Sequence, residues 1–137
     1  MTRDRLRTLS ALGIVLAVAL ILVATLRPNG GGSEGGASGP DCPLGVPCVV
    51  GHFVAFALLG VPLAARFATS EAARLSPRRS LAMLALAIWL AAAGTELAQG
   101  WVDGRDPDLL DWAADMLGAL VGLMAGSAGL RWLLARG

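Results

Sequence analysis

Lysine is absent from this chain of 137 residues, and charge of either sign is scarce: eleven arginines and ten acidic residues make up 15% of it. So little charge excludes an ordinary soluble domain, whose surface needs a polar skin. The net charge of +1, with no single basic patch, excludes a nucleic-acid partner. Two cysteines and one histidine are too few for a zinc framework of the usual ligand spacing. No Ser-His or Cys-His nucleophile is evident. What the chain does have is apolar residues, 55% of the total, and a mean hydropathy of +0.66. The length suits one domain and the composition suits a membrane protein. Arginine as the sole strong base, with abundant alanine and glycine, fits a GC-rich bacterial genome.

Four apolar segments follow one another. Leu9 to Leu26 has no charge and is bracketed by Arg3, Arg5, Arg7 and Arg27. Its length and the poor small-residue exit VATLRP favour an uncleaved helix over a signal peptide. Pro28 to Pro40 is a Gly/Ser-rich spacer. Val49 to Phe67 is the second segment, with Pro62 tolerated as a kink. Ser76-Pro77 reads as a cap and first helical residue, opening a third helix that runs to about Gln99. Asp106-Pro107-Asp108 repeats that signal, and a fourth helix is expected from Pro107 to about Leu134.

Four spans place both termini on one side. Nine arginines (3, 5, 7, 66, 74, 78, 79, 131 and 136) then share that side, and only Arg27 and Arg105 lie on the other. This asymmetry predicts cytoplasmic termini and an all-α integral membrane bundle in a bacterial inner membrane. It divides the chain into an N-terminal transmembrane helix (1–27), an extracytoplasmic loop (28–48) and a three-helix membrane domain (49–137). Cys42 and Cys48 fall outside the membrane, where a disulfide between them is expected and two free thiols are the alternative.

Six of the ten acidic residues lie between Thr95 and Gly118. Glu96 and Gln99 share a face near the outer end of the third helix. On the fourth, Asp111, Asp115, Gly118, Gly122, Ala125 and Gly129 project into one stripe. Gly118, Gly122 and Gly126 have the spacing that lets helices approach closely in lipid. His52 opens the second helix at a similar depth, above Phe56 and Leu59, and Arg105 lies in the loop above. A single polar cluster is therefore expected: His52, Glu96, Gln99, Arg105, Asp111 and Asp115. Clustering lowers the cost of carboxylates near a bilayer. Asp106 and Asp108 read as caps and Asp103 as a loop residue. A metal held by His52, Glu96 and Asp111 is conceivable, but its ligands would come from three helices with no diagnostic spacing. Neither a metal nor a cofactor is expected.

These residues resemble the VanZ-like family. His52-Phe53 with Phe56, Glu96 and Gln99, Gly104-Arg105, Asp111, and then Asp115, Gly118 and Gly122 follow the family's order across residues 52–122. The chain departs from that pattern at Cys48-Val49, where the family often has Asp-Lys, and at Asp115, where it has Asn. The resemblance implies a small multi-span protein of the bacterial cell envelope. Its founding member is associated with teicoplanin-type antibiotic resistance, and the family implies no settled reaction.

Three functions compete. An outward pocket would bind a lipid headgroup or peptidoglycan precursor, with Arg105 pairing with phosphate. A membrane-embedded enzyme acting on a lipid-linked intermediate would use Glu96 or His52 as general base. A scaffold would use the cluster only to lock the bundle.

Overall fold

The computed structural model describes residues 2–26, 41–42, 46–102 and 106–136. The spacer 28–40, Arg27, Asp103 and Arg105 lie outside the described residues. The elements are α1 (Arg3–Thr25), a two-residue pairing of β1 (Asp41–Cys42) with β2 (Val46–Pro47), α2 (Cys48–Thr69), α3 (Glu71–Leu75), α4 (Pro77–Gln99) and α5 (Leu109–Leu134). In the antiparallel strand pair Asp41 faces Pro47 and Cys42 faces Val46. Among the described residues, four helices, α1, α2, α4 and α5, are long and apolar enough to cross a membrane. Apart from that two-residue strand pair, the described structure is an all-α bundle of four long helices.

Local sequence sets the helix ends. Thr2 caps α1 through its hydroxyl, which accepts from the Arg5 amide. Pro77 occupies the first turn of α4, where its missing N–H costs nothing. Ser76 stands at the cap position without a side-chain cap bond. The fourth span starts two residues later than Pro107, because Asp108 is the cap and accepts from the Leu110 amide at 2.8 Å. The five-residue α3 was not expected. Ser70 caps it by accepting from the Ala73 amide, and it turns the chain between α2 and α4.

All four spans feed one core: Ala17 and Ile21 from α1, Phe56 and Leu59 from α2, Ile88 and Ala92 from α4, and Ala119 from α5. Much of the remaining large apolar surface points outward, including Val15, Leu16, Val23, Leu90 and Met124. In water such an exterior would aggregate, whereas in lipid it is the solvated face. Helix association in lipid gains little from the hydrophobic effect, so close packing must supply it.

That packing is tightest between α2 and α5. A Cβ added at Gly118 would collide with the Phe53 carbonyl, and one at Gly122 with the Ala57 carbonyl. At Gly126 it would lie 2.7 Å from the Val61 carbonyl oxygen. Both sets of numbers rise together, so α2 and α5 run parallel. Gly60 returns the contact from α2, since a Cβ there would sit 2.5 Å from the Ala119 oxygen. The expected stripe is corrected at its C-terminal end. Ala125 and Gly129 are exposed, and the contact path ends on Gly126. Steps of four drift around a helix of 3.6 residues per turn, so the path follows the actual crossing of the helices and not the projected stripe.

α1 runs antiparallel to α2. Arg7 donates to the Thr69 carbonyl at 3.0 Å, and Gly13 lies against Pro62. The N-terminal ends of α2 and α5 thus meet the C-terminal end of α4 at one end of the bundle. Arg7 and Thr69 mark the other.

Candidate functional site

His52 stands in the second turn of α2. Its ring is held on both edges, and its side chain is only 10% exposed. Nδ1 lies 2.9 Å from Asp115 Oδ1 on α5, and Nε2 lies 3.0 Å from the Gln99 amide nitrogen on α4. An amide nitrogen only donates. With Gln99 so turned, Nε2 accepts, and the ring proton sits on Nδ1 and is donated to Asp115.

Asp115 is the most enclosed member, with 0% exposure. Its second oxygen, Oδ2, lies 3.3 Å from the Thr95 hydroxyl. That hydroxyl also points at the Ala92 carbonyl, 2.8 Å away. Gly118, one turn further along α5, brings the α2 backbone close enough for His52 to reach Asp115. The small-residue packing and the polar site are therefore one construction.

Glu96 enters from α4 and is 6% exposed. Its Oε2 accepts from the Asp108 backbone amide at 2.8 Å. Asp108 therefore both caps α5 with its side chain and ties the end of α4 to the start of α5 with its backbone. The other oxygen, Glu96 Oε1, is buried and has no hydrogen-bond partner among the described residues. It points at the imidazole, 3.7 Å from Nδ1. Asp111 sits one turn above Asp115, with Oδ2 3.6 Å from Nε2 of the same ring.

The structure thus gathers His52, Glu96, Gln99, Asp111 and Asp115 from three helices around one imidazole. Asp106 is exposed. Cys48, at the first residue of α2, is disulfide-bonded, and the chain's only other cysteine is Cys42. Sequence reasoning missed Thr95, the Asp108 backbone amide and Gly60. Thr95 lies one turn before Gln99 on the same face, and that spacing was the available signal.

A buried polar cluster at one end of four lipid-length helices defines a multi-pass membrane protein with a polar site close to one membrane surface. No family model matches the chain, and neither a curated protein nor a solved structure matches it.

Proposed function

We propose that the chain is a VanZ-like protein of the bacterial cell membrane whose polar site, at the outward end of the bundle, takes the headgroup of a lipid or lipid-linked envelope precursor. The single observation that carries this reading is the unsatisfied Glu96 Oε1. A buried carboxylate oxygen without a donor is costly, and a ligand bearing hydroxyl or amine donors would supply what it lacks. The lipid-facing exterior delivers such headgroups to the membrane surface at the depth of the cluster. Of the two candidate general bases, Glu96 and His52, the histidine is the weaker. The Nε2 lone pair that would take a proton is already engaged by Gln99. Any glycopeptide-resistance phenotype would follow from headgroup capture.

Binding is tested by native mass spectrometry of the protein released from bacterial membranes. Wild type should retain a defined lipid. Glu96→Gln should lose most of it with helicity unchanged, because the glutamine oxygen can still accept from the Asp108 amide. Equal retention in both proteins would contradict the site.

The outward orientation rests on nine of the eleven arginines lying on the side of the termini. The disulfide at Cys48 fits an oxidising compartment. After mild reduction of intact cells, a membrane-impermeant maleimide should label Cys48. Labelling only after lysis would invert the topology.

A further inference from the structure

We propose that His52, Glu96 and Asp115 form a binding site for one divalent transition-metal cation of the zinc or manganese class. One ligand atom from each of the three residues lies within 4.8 Å of the other two. Nδ1 is 2.9 Å from Asp115 Oδ1 and 3.7 Å from Glu96 Oε1. A tetrahedral ion with bonds of about 2.1 Å sets its ligand atoms about 3.4 Å apart, a value between these two distances. The orphaned Glu96 Oε1 is the independent sign. It is a buried carboxylate oxygen, 3.7 Å from Nδ1, with no hydrogen-bond donor among the described residues.

Charge points the same way. Among the described residues, the ion-pair partner of both Glu96 and Asp115 is His52. One imidazole carries at most one positive charge against the three carboxylates of Glu96, Asp111 and Asp115. A divalent cation in place of the Nδ1 proton offsets the two that would ligate it and gives Oε1 a partner. One nitrogen with two carboxylate oxygens suits zinc, manganese or iron better than calcium or magnesium, which prefer oxygen alone.

The outer partners are already in place. Glu96 Oε2 accepts from the Asp108 amide, and Asp115 Oδ2 lies against the Thr95 hydroxyl. With the metal on Nδ1, Nε2 carries the ring proton, and the Gln99 amide must turn over so that its oxygen, not its nitrogen, meets Nε2 across the 3.0 Å contact; Asp111 Oδ2 lies 3.6 Å away. A hydrogen-bond acceptor behind a ligating histidine is the usual device for fixing its ring. Three protein ligands leave at least one coordination position open. The ion rests on and deepens the headgroup reading: it takes the place at Glu96 Oε1, and the headgroup reaches the site through the ion's open coordination position and not through donors of its own. A carboxylate-rich cluster repels phosphate, and a bound cation reverses that.

The test uses the full chain in detergent, stripped with chelator and titrated with Zn2+, Mn2+ and Co2+ by calorimetry. Co2+ is also followed by its visible d–d bands. Expected is one equivalent of metal, with cobalt bands of a low-coordinate nitrogen/oxygen site and no thiolate charge transfer. Thr95→Val should weaken binding by about tenfold, as loss of an outer partner does. Glu96→Gln, which keeps its Asp108 contact, should weaken it further while far-UV circular dichroism stays unchanged. No saturable binding by folded wild-type protein overturns the site, as does unchanged affinity in Glu96→Gln. Metal binding without lipid retention leaves the ion site standing and ends the headgroup reading. Lipid retention by protein that binds no metal does the reverse.

Discussion

Gly122→Ala destabilises the bundle, and Gly129→Ala does not. The added methyl at Gly122 collides with the backbone carbonyl of Ala57, and a carbonyl in a helix cannot swing aside as a side chain can. The two helices must separate along the whole path from Gly118 to Gly126. Overpacking of this kind costs about 1–3 kcal/mol, and it outweighs the gain of up to about 1 kcal/mol that alanine brings over glycine in a helix. At Gly129 nothing lies within 4 Å of the added atom. Only the propensity gain remains there, so stability is expected to hold or rise slightly. Gly122→Leu should lose more than Gly122→Ala. Unfolding of the purified protein in mixed micelles of rising SDS content, followed by circular dichroism, reads all three. Equal midpoints for wild type and Gly122→Ala would remove the close approach of α2 and α5.

The second large effect is at His52. Removal of its ring takes from the buried Asp115 its shorter hydrogen bond and leaves it, among the described residues, the Thr95 hydroxyl. Breaking a buried pair from one side costs about 3–5 kcal/mol, because the remaining group keeps its desolvation penalty. His52→Ala should therefore be strongly destabilised. Asp115→Ala leaves His52 with Gln99, Glu96 and Asp111 still around the ring, so its loss should be smaller. The double variant should be more stable than the two single losses add up to, by about 1–3 kcal/mol. The same micelle titration measures the cycle. Strict additivity would mean that the two side chains do not meet.

Much of this was legible in the chain itself. The four spans follow from apolar length, and their number and order need no tertiary information. Ser76-Pro77 located the start of α4 because proline excludes itself from later turns. The polar residues that the second, third and fourth spans place at the same end of the bundle could be grouped by depth alone. The rest was not legible, for specific reasons. Asp106, Pro107 and Asp108 offer two capping carboxylates, and only the path of the chain into α5 selects Asp108. Ala125, Gly126 and Gly129 are all small, and sequence cannot tell which of them lies under a neighbouring carbonyl. Thr95 is a common residue in an apolar helix until an aspartate from another span is placed beside it.

The metal-site geometry shows the same divide. Glu96 and Asp115 are nineteen positions apart, and His52 is a further forty-four from Glu96. No local spacing joins them, because ligand motifs readable in sequence are those carried by one helix or one loop. The sequence alone determined that the chain makes four lipid-length helices and where along them its few polar residues fall. Hydropathy and length are local properties, and the bilayer imposes them segment by segment. Only the tertiary structure decided which polar atoms meet, which oxygen of Glu96 is left without a donor, and which glycines lie against a neighbouring backbone. Those depend on the rotation and crossing of each helix against the next, and differences of a few ångströms in packing set both.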